Sequence, residues 1–162
     1  MMNAKLFQMM NQQLNRELYS SYLYLAIASY YSKHGLNGFA HWFKAQAREE
    51  LEHALKFHDF IIESGRVIHF MDIAKPEYDD FSNLREPLSV TLAHERKVTA
   101  WIREIYDFAV EIDNQPVVRF LDWFIKEQHE EEENAEKNLA AYESCDIDGD
   151  CLKKMDKTMG KR

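Results

Sequence analysis

The sequence predicts an all-α fold: a four-helix bundle with a long crossover between its second and third helices and a short fifth helix at the end. Three observations predict it. The chain of 162 residues carries only 5 Gly and 3 Pro, which suits long helices with few connections better than a turn-rich sandwich. Apolar residues recur at steps of three and four along four long stretches, the spacing of one buried helix face. One stretch without that period, from Arg66 to Phe81, separates the second helix from the third. A helix like the second spans about 39 Å, and the irregular stretch can reach roughly 56 Å when extended. It can therefore run the length of a bundle and leave the third helix parallel to the second. The length fits one domain, over 1–162, with a sizeable core.

The elements follow in order. Residues 4–33 read as one helix without Pro or Gly. Stepping from Glu17 gives Met10, Leu14, Ser20, Ser21, Tyr24, Ile27, Ala28 and Tyr31, so Glu17 sits within a mostly apolar face. A turn at His34-Gly35-Leu36-Asn37-Gly38 leads to a second helix over 38–63, with Phe39, Phe43, Ala47, Glu50, His53, Ala54, Phe57 and Ile61 on one face. Ser64-Gly65 ends it. In the crossover, Ile68, Phe70, Ile73, Tyr78 and Phe81 are expected to pin the chain to the bundle. The third helix covers 83–112, starting between Ser82 and Leu88 because Pro87 fits only a first turn. Its face is Leu88, Leu92, Glu95, Val98, Thr99, Ile102, Tyr106 and Ala109. Asp113-Asn114-Gln115-Pro116 is the next break, with Asn114 as N-cap. The fourth helix covers 116–143 and presents Val117, Phe120, Leu121, Phe124, Gln128, Glu131, Ala135, Leu139 and Tyr142. The acidic turn from Asp146 to Asp150 is not a calcium loop: its Gly is misplaced, and Lys157 stands where a bidentate Glu is required. A fifth helix covers 151–159.

Composition excludes several functions. A net charge of −8 is unsuited to nucleic acid, whose phosphates need a basic face. No run of 18 apolar residues marks a membrane span, and the first residues lack a signal-peptide core, so a cytoplasmic protein is expected. Cys145 and Cys151 cannot make a four-ligand zinc site and are expected as reduced thiols. His34, His41, His58, His69 and His94 are expected at the surface or in loops.

Chemistry enters through polar residues on the apolar faces. Glu50 and His53, three apart, share one helix face. Glu17 and Glu50 are 33 residues apart, and so are Glu95 and Gln128. In each hairpin the first residue stands 18 positions before the break, at Gly35 or Asp113, and the second 13 positions after the return helix begins, at Asn37 or Gln115. Both pairs therefore meet at one height, and the bundle has an internal pseudo-repeat. Its middle would hold Glu17, Glu50, His53, Glu95, Gln128 and Glu131. Several acids in one apolar core must be protonated or offset by cations. Two divalent ions balance four carboxylates. Oxygen ligands with one imidazole and no thiolate favour iron or manganese over structural zinc.

At these residues the chain resembles the ferritins, and among them the non-haem bacterial type. The resemblance runs from Leu6 to about Tyr142. It rests on Asn15-Arg16-Glu17-Leu18-Tyr19-Ser20-Ser21-Tyr22, on Glu49-Glu50-Leu51-Glu52-His53-Ala54, and on Trp123-Phe124-Ile125-Lys126-Glu127-Gln128-His129-Glu130-Glu131-Glu132. The resemblance implies a ferritin-like fold and an iron-storage protein with a ferroxidase centre, which oxidises Fe(II) with O2 or H2O2. It implies a homo-oligomeric hollow shell of 24 subunits. It places a first iron on Glu17, Glu50 and His53, and a second on bridging Glu50, Glu95 and Glu131 with Gln128 alongside. A nearby third iron site falls on Glu49, Glu127 and Glu130. Tyr24 and Trp123 match aromatics assigned to electron supply.

Departures from related families narrow the choice. Bacterioferritins repeat Glu-x-x-His on the fourth helix, where this chain has Gln128-x-x-Glu131, and their haem-binding Met position is Leu51 here. No haem is expected. The acids lining the three-fold channel of animal ferritins fall at Val118 and Leu121. Lys153, Lys154 and Lys157 make the fifth helix more polar than is usual in the family. A di-iron redox enzyme that stores nothing is the competing class, disfavoured by the absence of a Cys-x-x-Cys domain and by the single Glu-x-x-His.

Overall fold

Helix α1 (Ala4–Lys33) starts where the Asn3 side chain accepts from the backbone N–H groups of Lys5 and Leu6, which would otherwise lack partners. It ends in the turn at Gly35, whose φ of 76° suits a residue without Cβ. The chain returns as α2 (Asn37–Glu63). The second hairpin repeats the design with α3 (Glu86–Glu111) and α4 (Gln115–Glu143). Asp113, at φ 53°, stands where Gly35 stood; a short polar side chain tolerates that conformation. Asn114 caps α4 by accepting from Val117 N–H. Helix α5 (Asp150–Met159) closes the fold. The computed structural model describes residues 2–77, 80–145 and 149–162. The expectations for Met1, for Tyr78 as a crossover anchor and for the turn at 146–148 fall outside them. Among the described residues there is no strand, and no helix is long and apolar enough to cross a membrane.

The crossover fixes the topology. Asn11 exchanges hydrogen bonds with the backbone of His69, Asn15 donates to the carbonyls of Met71 and Asp72, Tyr19 accepts from Glu77 N–H, and Tyr31 donates to the Leu84 carbonyl. The loop thus climbs α1 from its first turns to its last. It delivers the start of α3 to the end of the bundle where α1 turns into α2, so α2 and α3 run parallel, as predicted. The anchors differ from those predicted. Ile68 and Phe81 are buried, but Phe70 is 78% exposed and Ile73 43%. Polar side chains of α1 hold the crossover because its irregular backbone offers free N–H and C=O groups along its whole length.

Two apolar clusters fill the bundle. One, around Leu6, Met10, Phe57, Ile102, Leu121 and Phe124, occupies the end near the start of α1. The other is richer in aromatics, with Tyr24, Tyr31, Phe39 and Phe43, and takes in Met159 of α5. In α3, Ile105 rather than Tyr106 completes the buried stripe. Between the clusters lies a polar layer.

Helix α5 is tied down in three ways. Gly38 meets its backbone so closely that a Cβ there would lie 1.7 Å from the Asp156 carbonyl oxygen. Asp156 Oδ1 accepts from Phe39 N–H at 3.0 Å, serving the start of α2, which has no side-chain cap of its own. Cys145 and Cys151 form a disulfide with Cα atoms 5.3 Å apart, correcting the expectation of reduced thiols. That separation lies within the range a disulfide bridges.

Candidate metal centre

The polar layer contains the six residues that spacing singled out. Glu17, Glu50, His53, Glu95, Gln128 and Glu131 are all at most 4% exposed. Matched heights are visible directly, since Gln128 Nε2 donates to Glu95 Oε2 at 3.1 Å and to the Glu95 carbonyl at 3.3 Å. Two trios present ligand atoms within 4.8 Å of one another: Glu17 with Glu50 and His53, and Glu50 with Glu95 and Glu131. Glu50 belongs to both. A third trio joins His53, Glu127 and Glu131.

The acids are unequally supported. Glu95 is held on both oxygens, by the Tyr24 hydroxyl and by Gln128. Glu131 Oε2 accepts from Gln46 Nε2 at 2.6 Å, and the same amide reaches Glu50 Oε1 at 3.2 Å. Glu17 Oε1 accepts from Gln13 Nε2 at 2.7 Å, but its Oε2 finds no partner. His53 Nδ1 lies 3.2 Å from Glu50 and 4.0 Å from that orphaned oxygen, while Nε2 lies 3.8 Å from Glu127.

Protonation follows from burial and crowding. Burial, then the Glu50 charge, pushes the Glu17 carboxyl well above its ordinary range. Glu50 is likewise raised by burial and by Glu95 and Glu131. Glu95 is raised by burial, with the Tyr24 and Gln128 hydrogen bonds opposing. Burial and Glu95 lift Glu131 to about 8. Without cations the layer therefore holds protons, and cations that displace them find anionic oxygens already converged. The orphaned Oε2 of Glu17 and the hard-oxygen donor set both fit divalent ions that prefer carboxylates.

The remaining expectations divide. Tyr24 joins the layer through Glu95, and its own hydroxyl is raised well above its usual range by burial and by Glu95. The Trp123 ring stands 5.5 Å from the His53 ring with 40% of its surface exposed. Glu127, raised chiefly by burial, reaches the layer; among the described residues Glu49 and Glu130 belong to no such trio. Instead, Glu49 Oε2 pairs with Arg162 at 2.5 Å. His94 is not a surface residue. It is 8% exposed and shares a 2.7 Å hydrogen bond with Ser20 Oγ, and burial and then Lys97 lower it to about 4. It follows from α3 packing on α1 that the residue beside Glu95 is also enclosed. Leu121 is fully buried in the apolar cluster, so it cannot line a channel.

Sequence reasoning missed Gln13 and Gln46. Each lies four positions before a layer carboxylate, on the same helix face, and the two are themselves 33 positions apart. That repeat of the key interval was their signal.

Fold and layer together define a four-helix bundle with buried, converging carboxylates, the architecture in which paired metal ions are held between helices. A family model of the ferritin-like domain matches residues 7–144. The bacterial non-heme ferritin of Staphylococcus aureus (strain USA300) is 30% identical over 162 residues, covering 100% of this chain and 97% of that protein. The bacterial non-heme ferritin of Escherichia coli O6:H1 is 32% identical over 132 residues, 82% of this chain and 79% of the relative. Among solved structures, an open pore ferritin from the hyperthermophilic archaeon Archaeoglobus fulgidus superposes with a TM-score of 0.98 at 32% identity, covering 100% of this chain and 99% of that one. The chain belongs to the ferritin family.

Proposed function

We propose that this single-domain protein stores iron, oxidising Fe(II) at the buried layer and retaining Fe(III) as mineral inside a cytoplasmic homo-oligomeric shell of 24 subunits. Iron is substrate and cargo here. Glu17, Glu50 and His53 hold one Fe(II); Glu50, Glu95 and Glu131, with Gln128 alongside, hold the other. Glu127, with Glu49 and Glu130, takes a third. The observation that carries the proposal is the layer itself: four buried acids shifted toward the protonated form, one with an orphaned oxygen. Cations relieve that desolvation, and the acids give up their protons as the ions enter.

Two Fe(II) side by side lose one electron each. O2 takes both with two protons to give H2O2, and H2O2 takes two more electrons and two protons to give water. Paired ions thus avoid one-electron oxygen products. Carboxylate oxygens favour Fe(III) over Fe(II), since anionic ligands stabilise the higher charge. Tyr24, hydrogen-bonded to Glu95, and Trp123, beside His53, stand where an extra electron could be supplied. Exposed Tyr22, Leu25, Leu51, Leu55 and Ile62 on α1 and α2 supply apolar surface for contact between subunits.

Glu50→Ala and His53→Ala are expected to abolish rapid Fe(II) oxidation while the assembly keeps its size by light scattering. Wild-type oxidation rates in either variant would overturn the site assignment. Loading with excess Fe(II) in air should leave soluble iron far beyond two ions per chain; uptake that stops at two identifies a redox enzyme instead.

A further inference from the structure

Arg162 reaches the edge of the polar layer from the segment after α5. Its Nη1 donates to Gln46 Oε1 at 2.8 Å, its Nη2 pairs with Glu49 Oε2 at 2.5 Å, and its guanidinium lies 4.4 Å from the Trp42 ring centroid. Its carbonyl lies 2.9 Å from His41 Nε2. These contacts place it firmly, and its side chain is only 24% exposed. By taking the carbonyl end of the Gln46 amide, Arg162 turns the NH2 end toward Glu50 and Glu131. A cation and two carboxylates on opposite sides of one amide allow only that orientation.

We propose that Arg162 is a built-in cation that occupies the third acidic position through Glu49 and so determines how many metal ions the centre takes. This rests on the metal-binding reading of the layer. A divalent ion drawn to Glu49 meets a carboxylate whose Oε2 is already engaged and whose charge is offset by a fixed cation. The docking of α5 through Gly38 and Asp156 sets the position of Arg162, so the number of ions bound is coupled to the seating of that helix. Neither Glu127 nor Glu130 is engaged by Arg162, which makes Glu49 the point of control.

Anaerobic titration with Co(II), followed by calorimetry and by the visible absorption of the ion, tests this without turnover. Wild type should take two ions per chain tightly and a third weakly. Arg162→Gln keeps an amide near Gln46 but removes the charge, and it should tighten the third ion about tenfold, the scale of a partly exposed ion pair with a charged hydrogen bond. Gly38→Ala, which unseats α5, should do the same. Adding Glu49→Ala to Arg162→Gln should abolish the gain. If wild type and Arg162→Gln bind the third ion equally, or if the gain survives loss of Glu49, the proposal is overturned while two-ion binding still supports the layer. If wild type binds no Co(II), both fall.

Discussion

The two hairpins share one plan and differ in how they treat their charges. Each spans 33 residues between its layer positions, and each turns on a residue with positive φ. In α3–α4, Glu95 is held on both oxygens by Tyr24 and Gln128. In α1–α2, Glu17 keeps one oxygen without a partner and faces Glu50 and His53. One half is therefore satisfied in the folded protein, and the other is left to be completed. Gln46 crosses from α2 to serve Glu131 on α4, joining the halves.

The largest effect that can break this comparison is one of pH. Glu131 sits at about 8 in the fold against an ordinary 4.5. Between those values the folded state holds a proton that the unfolded chain has released. Stability of the metal-free protein therefore falls as pH rises through that window, by up to about 1.4 kcal/mol per unit for one group. Urea unfolding at pH 5 and pH 8 measures it, and divalent ions should flatten the dependence. In the same assay at pH 8, Glu17→Gln should stabilise the metal-free protein by about 1–3 kcal/mol by removing a buried acid with only one oxygen hydrogen-bonded. Glu95→Gln should gain little, because it gives up donors already in place. Equal gains would mean that the halves are equivalent.

Next in size, Gln46→Ala should weaken divalent-ion binding about 10–100-fold, because Gln46 orients two carboxylates. Gln13→Ala, which frees only Glu17, should cost less than tenfold on the same scale; calorimetric titration ranks the two. At the turns, Gly35→Ala should cost about 1–2 kcal/mol in thermal unfolding. The cost comes from φ alone, since a Cβ there meets nothing within 4 Å. Smallest, Asn114→Ala should cost about 1 kcal/mol by uncapping α4. No local substitution before α2 has an equivalent effect, because its cap comes from Asp156.

Much of this was legible in the chain. The five helices lie within a few residues of where periodicity put them, and the widest error, at the start of α3, arises because Pro87 limits that start only to within a turn. Glu17, Glu50, His53, Glu95, Gln128 and Glu131 share a layer because helical spacing and hairpin length are both properties of sequence position. His94 was misjudged since it lies one residue off the stripe, and only the neighbouring α1 shows that this flank is covered. Phe70 and Ile73 were misjudged because an irregular segment has no period to say which way its side chains face.

By itself, then, the sequence determined the helices, the height at which their acids meet and the resemblance to ferritins, because each depends on short repeats or fixed intervals along the chain. Only the tertiary structure decided that Glu17 is left with an open oxygen, that Gln46 bridges the halves, that Cys145 and Cys151 join, and that Asp156 and Arg162 reach back to α2. Those last contacts link residues 113 to 121 positions apart. No local pattern announces a pairing across that distance, since it exists only once the packing of the helices has brought the two ends together.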